Sequence, residues 1–178
     1  MILCVGEILA DMIGTVKDGS LCYERKAGGA PFNVACAAKK FGADVKFVGS
    51  VGNDLIGDFL IKFADGRKLD GITINRDAKR NTTLAFVELD EKGERSFCFY
   101  RKNTADYNLP YISQSEFEDA DIVHVGSLML SEKAGFEYAE SIAKRTRAEG
   151  KLLSFDINYR TDIFKDRESA VNIYKKII

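Results

Sequence analysis

The chain has 178 residues, 46% hydrophobic and 30% charged, which supplies a core for one domain of ordinary size or for part of a larger one. Its 26 basic and 27 acidic side chains leave a formal charge of −1 with no basic run, which argues against nucleic acid or an acidic membrane as a partner. No apolar run approaches a membrane span and nothing at the N-terminus reads as a signal peptide, so a cytoplasmic location is expected.

Short apolar strands alternate with amphipathic helices, the pattern of an α/β protein with a largely parallel sheet. The predicted strands are 2–8, 45–51, 72–75, 121–126 and 151–156. The predicted helices are 31–41, 54–66, 131–149 and 167–176. Asp54 stands where an N-cap belongs, and Ser131 takes the same place before a helix that stops at Gly150. Two segments break the rhythm. Residues 12–26 read as short strands around Lys17-Asp18-Gly19-Ser20, and 82–89 and 95–101 as a hairpin around Asp90-Glu91-Lys92-Gly93. Along the second of these strands Phe97 and Phe99 share a face with Arg95 and Arg101, while Ser96, Cys98 and Tyr100 take the other. Such strands form a small separate sheet, apolar on both faces, which calls for cover: a lid over a site or a contact with a second copy.

The run Gly28-Gly29-Ala30-Pro31-Phe32-Asn33 opens the first helix. A glycine pair there brings bare backbone close to a ligand, Pro31 sits where its missing N–H costs nothing, and Asn33 projects from the first turn. Asp11 lies near a strand's C-terminal end, where ligands gather in open α/β sheets. Asp156, Asn158 and Arg160 alternate along a strand that ends in a loop. His124, the single histidine, reads as a core or strand-end residue rather than a catalytic one. The cysteines, Cys4, Cys22, Cys36 and Cys98, are scattered, without a Cys-x-x-Cys pair. They read as reduced thiols rather than a metal site, and no metal ligands are expected in this chain. The Gly-x4-Gly-Lys-Ser/Thr phosphate loop is absent.

Taken in order, five pieces resemble the N-terminal part of the PfkB (ribokinase-like) carbohydrate kinases. They are Gly6-Glu7-Ile8-Leu9-Ala10-Asp11, the glycine run with Asn33, Phe47 to Asp54 with Gly57, Glu94 to Arg101 with Ala105-Asp106, and Ser154 to Arg160. The resemblance implies a three-layer ribokinase-like α/β fold, incomplete over residues 1–178, with lid strands from about 12–26 and 82–103. It implies ATP and Mg2+ as cofactors and a small-molecule sugar as partner. The implied acceptor contacts are Asp11, Gly28, Gly29, Asn33, Arg101 and Arg160, with Asn158 toward the donor phosphates. The lid run is similar to that of fructokinases and of 2-keto-3-deoxygluconate kinases. Fructose or a close keto-sugar is therefore the first acceptor, the keto-sugar acid the second, and ribose or an adenosine-like nucleoside behind them. Relatives also carry a later Gly-Ala-Gly-Asp motif whose Asp is the general base. It does not occur here, and Gly42-Ala43-Asp44 joins a helix end to a strand in the wrong half. The chain alone is thus expected to be inactive and to contain no catalytic base. The alternative is a non-catalytic sugar-binding or dimerisation module, and a homodimer through the lid is possible on either reading.

Overall fold

The computed structural model describes residues 1–89 and 95–178. The expected turn at 90–93 lies outside these, as does Glu94.

A five-stranded parallel sheet forms the body. Its strands are β1 (Ile2–Val5), β4 (Val45–Gly52), β5 (Gly71–Asp77), β8 (Ile122–Gly126) and β9 (Leu152–Asp156), in the order β5-β4-β1-β8-β9. Both faces are covered, which is why the central strand β1 reads Ile-Leu-Cys-Val without polar alternation. Leu3, Val5, Val123 and Val125 point into one core with Phe117, Ile142 and Tyr174, beneath helices α4 (Lys133–Ala148) and α5 (Arg167–Tyr174). Cys4, Val45 and Phe47 point the other way, against Phe32 and Ala35 of α1 (Ala30–Lys40) and Leu60 of α2 (Leu55–Asp65). Burial pushes the Cys4 thiol up to about 12, so it packs as an inert apolar group.

The second sheet is the anticipated small separate sheet, called the lid below. Strands β2 (Leu9–Lys17) and β3 (Ser20–Gly28) form a hairpin in which Asp11 stands opposite Lys26, and β2 also pairs in parallel with β6 (Leu84–Leu89). Strand β7 (Arg95–Tyr100) closes the order β3-β2-β6-β7. The lid strands begin earlier than expected because the first apolar run is two elements. Gly6, at φ 147°, ends β1, and the chain enters β2 at Leu9. The expected strand 2–8 is corrected accordingly.

Two further departures concern caps. Ser131 does not open α4. It ends a short 3-10 turn, Leu128–Ser131, where its hydroxyl donates to Leu128 O at 2.9 Å, and Glu132 takes the cap position instead. Helix α3 (Gln114–Glu118) was not anticipated. Its capping box is legible in retrospect as Ser113-x-x-Glu116, with Glu116 Oε2 accepting from Ser113 N at 3.0 Å. Asp54 caps α2 as expected, accepting from Ile56 N and Gly57 N at 3.1 and 2.8 Å. Among the described residues no helix is long and apolar enough to cross a membrane.

Candidate acceptor site

The sheet body and the lid meet in a cleft beyond the C-terminal ends of β1 and β9. Its floor is Glu7, Leu9 and Asp11, and one wall is Gly29, Ala30 and Asn33 at the start of α1. The opposite wall is Leu128, Asn158 and Arg160, and the roof is Phe97 and Phe99 of the lid. Five of the residues singled out in the sequence, Asp11, Gly29, Asn33, Asn158 and Arg160, therefore line one pocket although 149 positions separate the first from the last (160 − 11). Other grooves are larger in extent, one between Arg25 and α2 and one along Tyr159, Val171 and Tyr174, but neither contains any of these residues.

Asp11 is half-buried on β2, and burial raises its carboxyl above the usual range. Its seat depends on Gly28. A Cβ there would stand 2.2 Å from Asp11 Oδ2, so the bare α-carbon lets the carboxylate lie across β3. Gly28 thus shapes the site from behind Asp11, while Gly29 lines it. Gly29 has φ 109° and its α-carbon faces Glu7, where a Cβ would come 2.3 Å from the Glu7 carbonyl oxygen. Only glycine fits both demands. The Asn33 backbone N–H closes the first helical turn on Gly29 O at 2.8 Å, and its exposed side chain faces the cleft.

On the opposite wall the strand-end geometry is unusual. Asn158 has φ 27°, in the left-handed region, and its N–H donates to Asp156 Oδ1 at 3.1 Å. Ser127 holds the same bend by donating to Ile157 O. The regular alternation expected for Asp156, Asn158 and Arg160 stops at Asp156, where β9 ends. Arg160 nevertheless returns to the cleft. Its guanidinium lies 5.3 Å from the Phe97 ring centroid, spanning from body to lid, and among the described residues its buried Nε has no partner.

Arg101, implied by the resemblance as an acceptor contact, does not line this cleft. It is buried at the lid's base and lines a neighbouring pocket with Phe99, Lys102 and Tyr107, apart from Asp11. Its Nε donates to Asp106 Oδ2 at 2.8 Å, Nη2 stands 2.6 Å from the same oxygen, and the guanidinium covers the Tyr107 ring at 4.6 Å. Asp106 also accepts from the Thr83 and Thr104 hydroxyls at 2.7 Å each. The alternation along β7 is right as far as Tyr100. What it cannot show is that the chain then turns inward and delivers the next side chain to a buried carboxylate. Arg101 is therefore an anchor of the lid in this structure.

Sequence reasoning missed Glu7, which it treated only as part of a strand motif. Glu7 is fully buried, and its Oε1 accepts from Ala30 N at 3.2 Å. Desolvation pushes its carboxyl up to about 7, the Arg101 charge opposing and Asp106 reinforcing the rise. A single acid inside the apolar stretch Cys4 to Ala10 is the signal that could have found it. His124 is a buried strand residue, as expected. Its Nδ1 lies 2.9 Å from Ser154 Oγ, and burial lowers its pKa. Among the described residues no group of three His, Cys, Asp or Glu side chains could hold a metal ion.

With this geometry in place, comparison with known proteins is informative. The model of the pfkB family carbohydrate kinases matches residues 1–175. Fructokinase-2 of Solanum habrochaites is 36% identical over 188 aligned residues, covering 99% of this chain and 56% of its own. The crystal structure of a fructokinase from Xylella fastidiosa superposes with a TM-score of 0.87 at 36% identity, covering 98% of this chain and 56% of that one. The same fructokinase with bound ATP gives 0.86 at 35%, covering 98% and 57%. The chain spans about half the length of the relatives it matches.

Proposed function

Because the chain belongs to the pfkB family of carbohydrate kinases, we propose that its cleft is the acceptor-sugar half of an ATP-dependent, fructokinase-like enzyme. The observation that carries this is the convergence of Asp11, Gly29 and Asn33 with Asn158 and Arg160 under an aromatic roof. Asp11 supplies two carboxylate oxygens for neighbouring hydroxyls of one sugar. Asn33 offers a donor and an acceptor beside them, and the bare backbone of Gly29 admits the ring closely.

Phosphoryl transfer needs positioning and charge compensation more than covalent help from the protein. Here the buried Nε, unpartnered among the described residues, and the fixed cation of Arg160 suit an anionic group at the cleft mouth, as does the amide of Asn158. Those two residues would face the γ-phosphoryl of ATP, with Mg2+ as its companion cation. ATP, when bound, supplies the transferable phosphoryl group. Residues 1–178 hold the acceptor and close the lid over it, excluding water that would compete with the sugar hydroxyl. The Gly-Ala-Gly-Asp base does not occur in them. On this reading the 178-residue chain binds sugar without turnover in the cytoplasm, and Mg-ATP with fructose yields no ADP above background.

Equilibrium titration of the purified chain with D-fructose, 2-keto-3-deoxygluconate, D-ribose and adenosine tests the assignment. Fructose should bind best, and Asp11→Asn should weaken it roughly tenfold or more. If no sugar binds, the acceptor reading is wrong. If the chain alone turns over ATP and Asp11→Ala abolishes it, the inactivity is wrong. The second reading, a dimerisation module, draws on the lid's outer face, where Val16, Leu21, Tyr23 and Tyr100 are exposed.

A further inference from the structure

Glu7 has no part in the contacts assigned above, yet its placement is costly enough to need a reason. It is completely buried where β1 gives way to the lid; it touches two structures and feels the charge of a third. The first is helix α1, which lacks a side-chain cap of its own: Gly29 occupies the cap position, and Ala30 N–H donates to Glu7 Oε1 at 3.2 Å instead. The second is the end of β8, where Glu7 Oε2 would lie 3.3 Å from a Cβ on Gly126. The third is the lid's anchor, because Arg101 is the principal opposite charge acting on Glu7 and Asp106 the principal like charge. Glu7 Oε2 and Arg101 Nη1 are both fully buried, and both are without a hydrogen-bond partner among the described residues.

We propose that Glu7 is a positioning residue of the acceptor site, holding the Gly28-Gly29 turn and the first turn of α1, and with them Asn33, in register with the Arg101–Asp106 anchor of the lid. This rests on the acceptor reading of the cleft. A charged Glu7 makes the stronger bond to Ala30 N–H, complements the positive end of the α1 dipole and answers the Arg101 charge. A protonated one leaves the helix start weakly held and Arg101 to Asp106 alone. The arrangement should therefore tighten as Glu7 loses its proton near neutrality. Besides Arg101 and Asp106, the cleft brings Asp11 from β2 and Arg160 from beyond β9. The first turn of α1 (Ala30 to Asn33) carries no titratable side chain, and His124 on β8 is bonded to Ser154.

The test uses the 178-residue protein with two readouts. By NMR, the Ala30 backbone amide and the Asn33 side-chain amide should shift with a midpoint near 7 in the native protein and stay flat through that range in Glu7→Gln. In titrations with D-fructose, native affinity should rise roughly threefold or more between pH 6 and pH 8, while Glu7→Gln keeps the low-pH value throughout. Ala30 and Asn33 resonances that do not titrate, or that titrate identically in Glu7→Gln, overturn the proposal. The native titration decides on its own if Glu7→Gln fails to fold. Resonances that move as described in a protein that binds no sugar support the link from Glu7 to Asn33 and refute the acceptor reading alone.

Discussion

Two adjacent glycines in this chain do different jobs, and substitution separates them. At Gly29 an alanine meets both a left-handed φ of 109° and the Glu7 carbonyl, so Gly29→Ala should destabilise the fold by about 2–4 kcal/mol in chemical denaturation. At Gly28 the obstacle is the Asp11 carboxylate, the movable end of a half-buried side chain. Gly28→Ala should therefore cost less stability, about 1 kcal/mol, yet displace Asp11 and lose most of the sugar affinity. Equal losses of stability in the two variants would contradict this division. Glu7 adds a pH dependence of a sense opposite to most carboxylates, because desolvation of its charge outweighs the local attraction of Ala30 N–H and Arg101 for the charged form. Its ordinary pKa of 4.5 applies in the unfolded chain and about 7 in the folded one, so over that window the folded state holds the extra proton. Its contribution is complete below pH 4.5 and fades as pH rises to about 7, a loss of roughly 3 kcal/mol that Glu7→Gln should abolish in melts from pH 5 to pH 8.

At the scale of elements, Asp54 shows how a local cap becomes a tertiary joint. Beyond the two α2 amides, its Oδ2 accepts from Thr82 N and its Oδ1 from Thr82 Oγ, both at 2.8 Å, tying the helix to the approach of β6. Burial works against its charge, but these hydrogen bonds prevail and hold the carboxyl below the usual range. The stability it provides is present above the ordinary carboxylate pKa and is lost as pH falls below it. Asp54→Ala should cost about 2–3 kcal/mol at pH 7 and progressively less toward pH 3, measurable by urea titration at both pH values. The cap itself was legible because Asp before an apolar, helix-period run has one reading. The body strands were legible for a similar reason, although the first was drawn too long: two covered faces leave runs of apolar residues bounded by turns. What escaped was set by partners far along the chain. Nothing near Arg101 in the sequence says that Asp106 will be fully buried to receive it, and nothing near Ser131 says that a 3-10 turn and the Tyr107 hydroxyl, 2.7 Å away, will claim its side chain. The site was legible where its chemistry lies in short motifs, as at Gly29 and Asn33, and illegible where it depends on depth, as at Glu7.

For the molecule as a whole, the outer face of the lid is an exposed apolar surface carried by two neighbouring hairpins. Val16 is 75% exposed and Tyr100 62%, and a second copy of this sheet is the occupant that the dimer reading gives it. Sedimentation velocity at tens of micromolar should show a dimer, and Val16→Asp combined with Tyr100→Glu should return a folded monomer. A native protein that stays monomeric at about 100 µM would leave the face without that role. The order of the body sheet carries a different consequence, one of time. Strand β1 is central, yet Ile2 pairs with Val45 on one side and with Ile122 on the other. Strand β1 is thus enclosed only when a strand about 120 residues further along the chain has been made. At the usual pace of synthesis, the 120 residues between Ile2 and Ile122 take about 6–24 s to appear, and throughout that interval one edge of β1 has no partner from its own chain. The nascent protein spends those seconds with the centre of its sheet open to other chains, so the speed of the ribosome and the reach of chaperones bear on its yield alongside final stability.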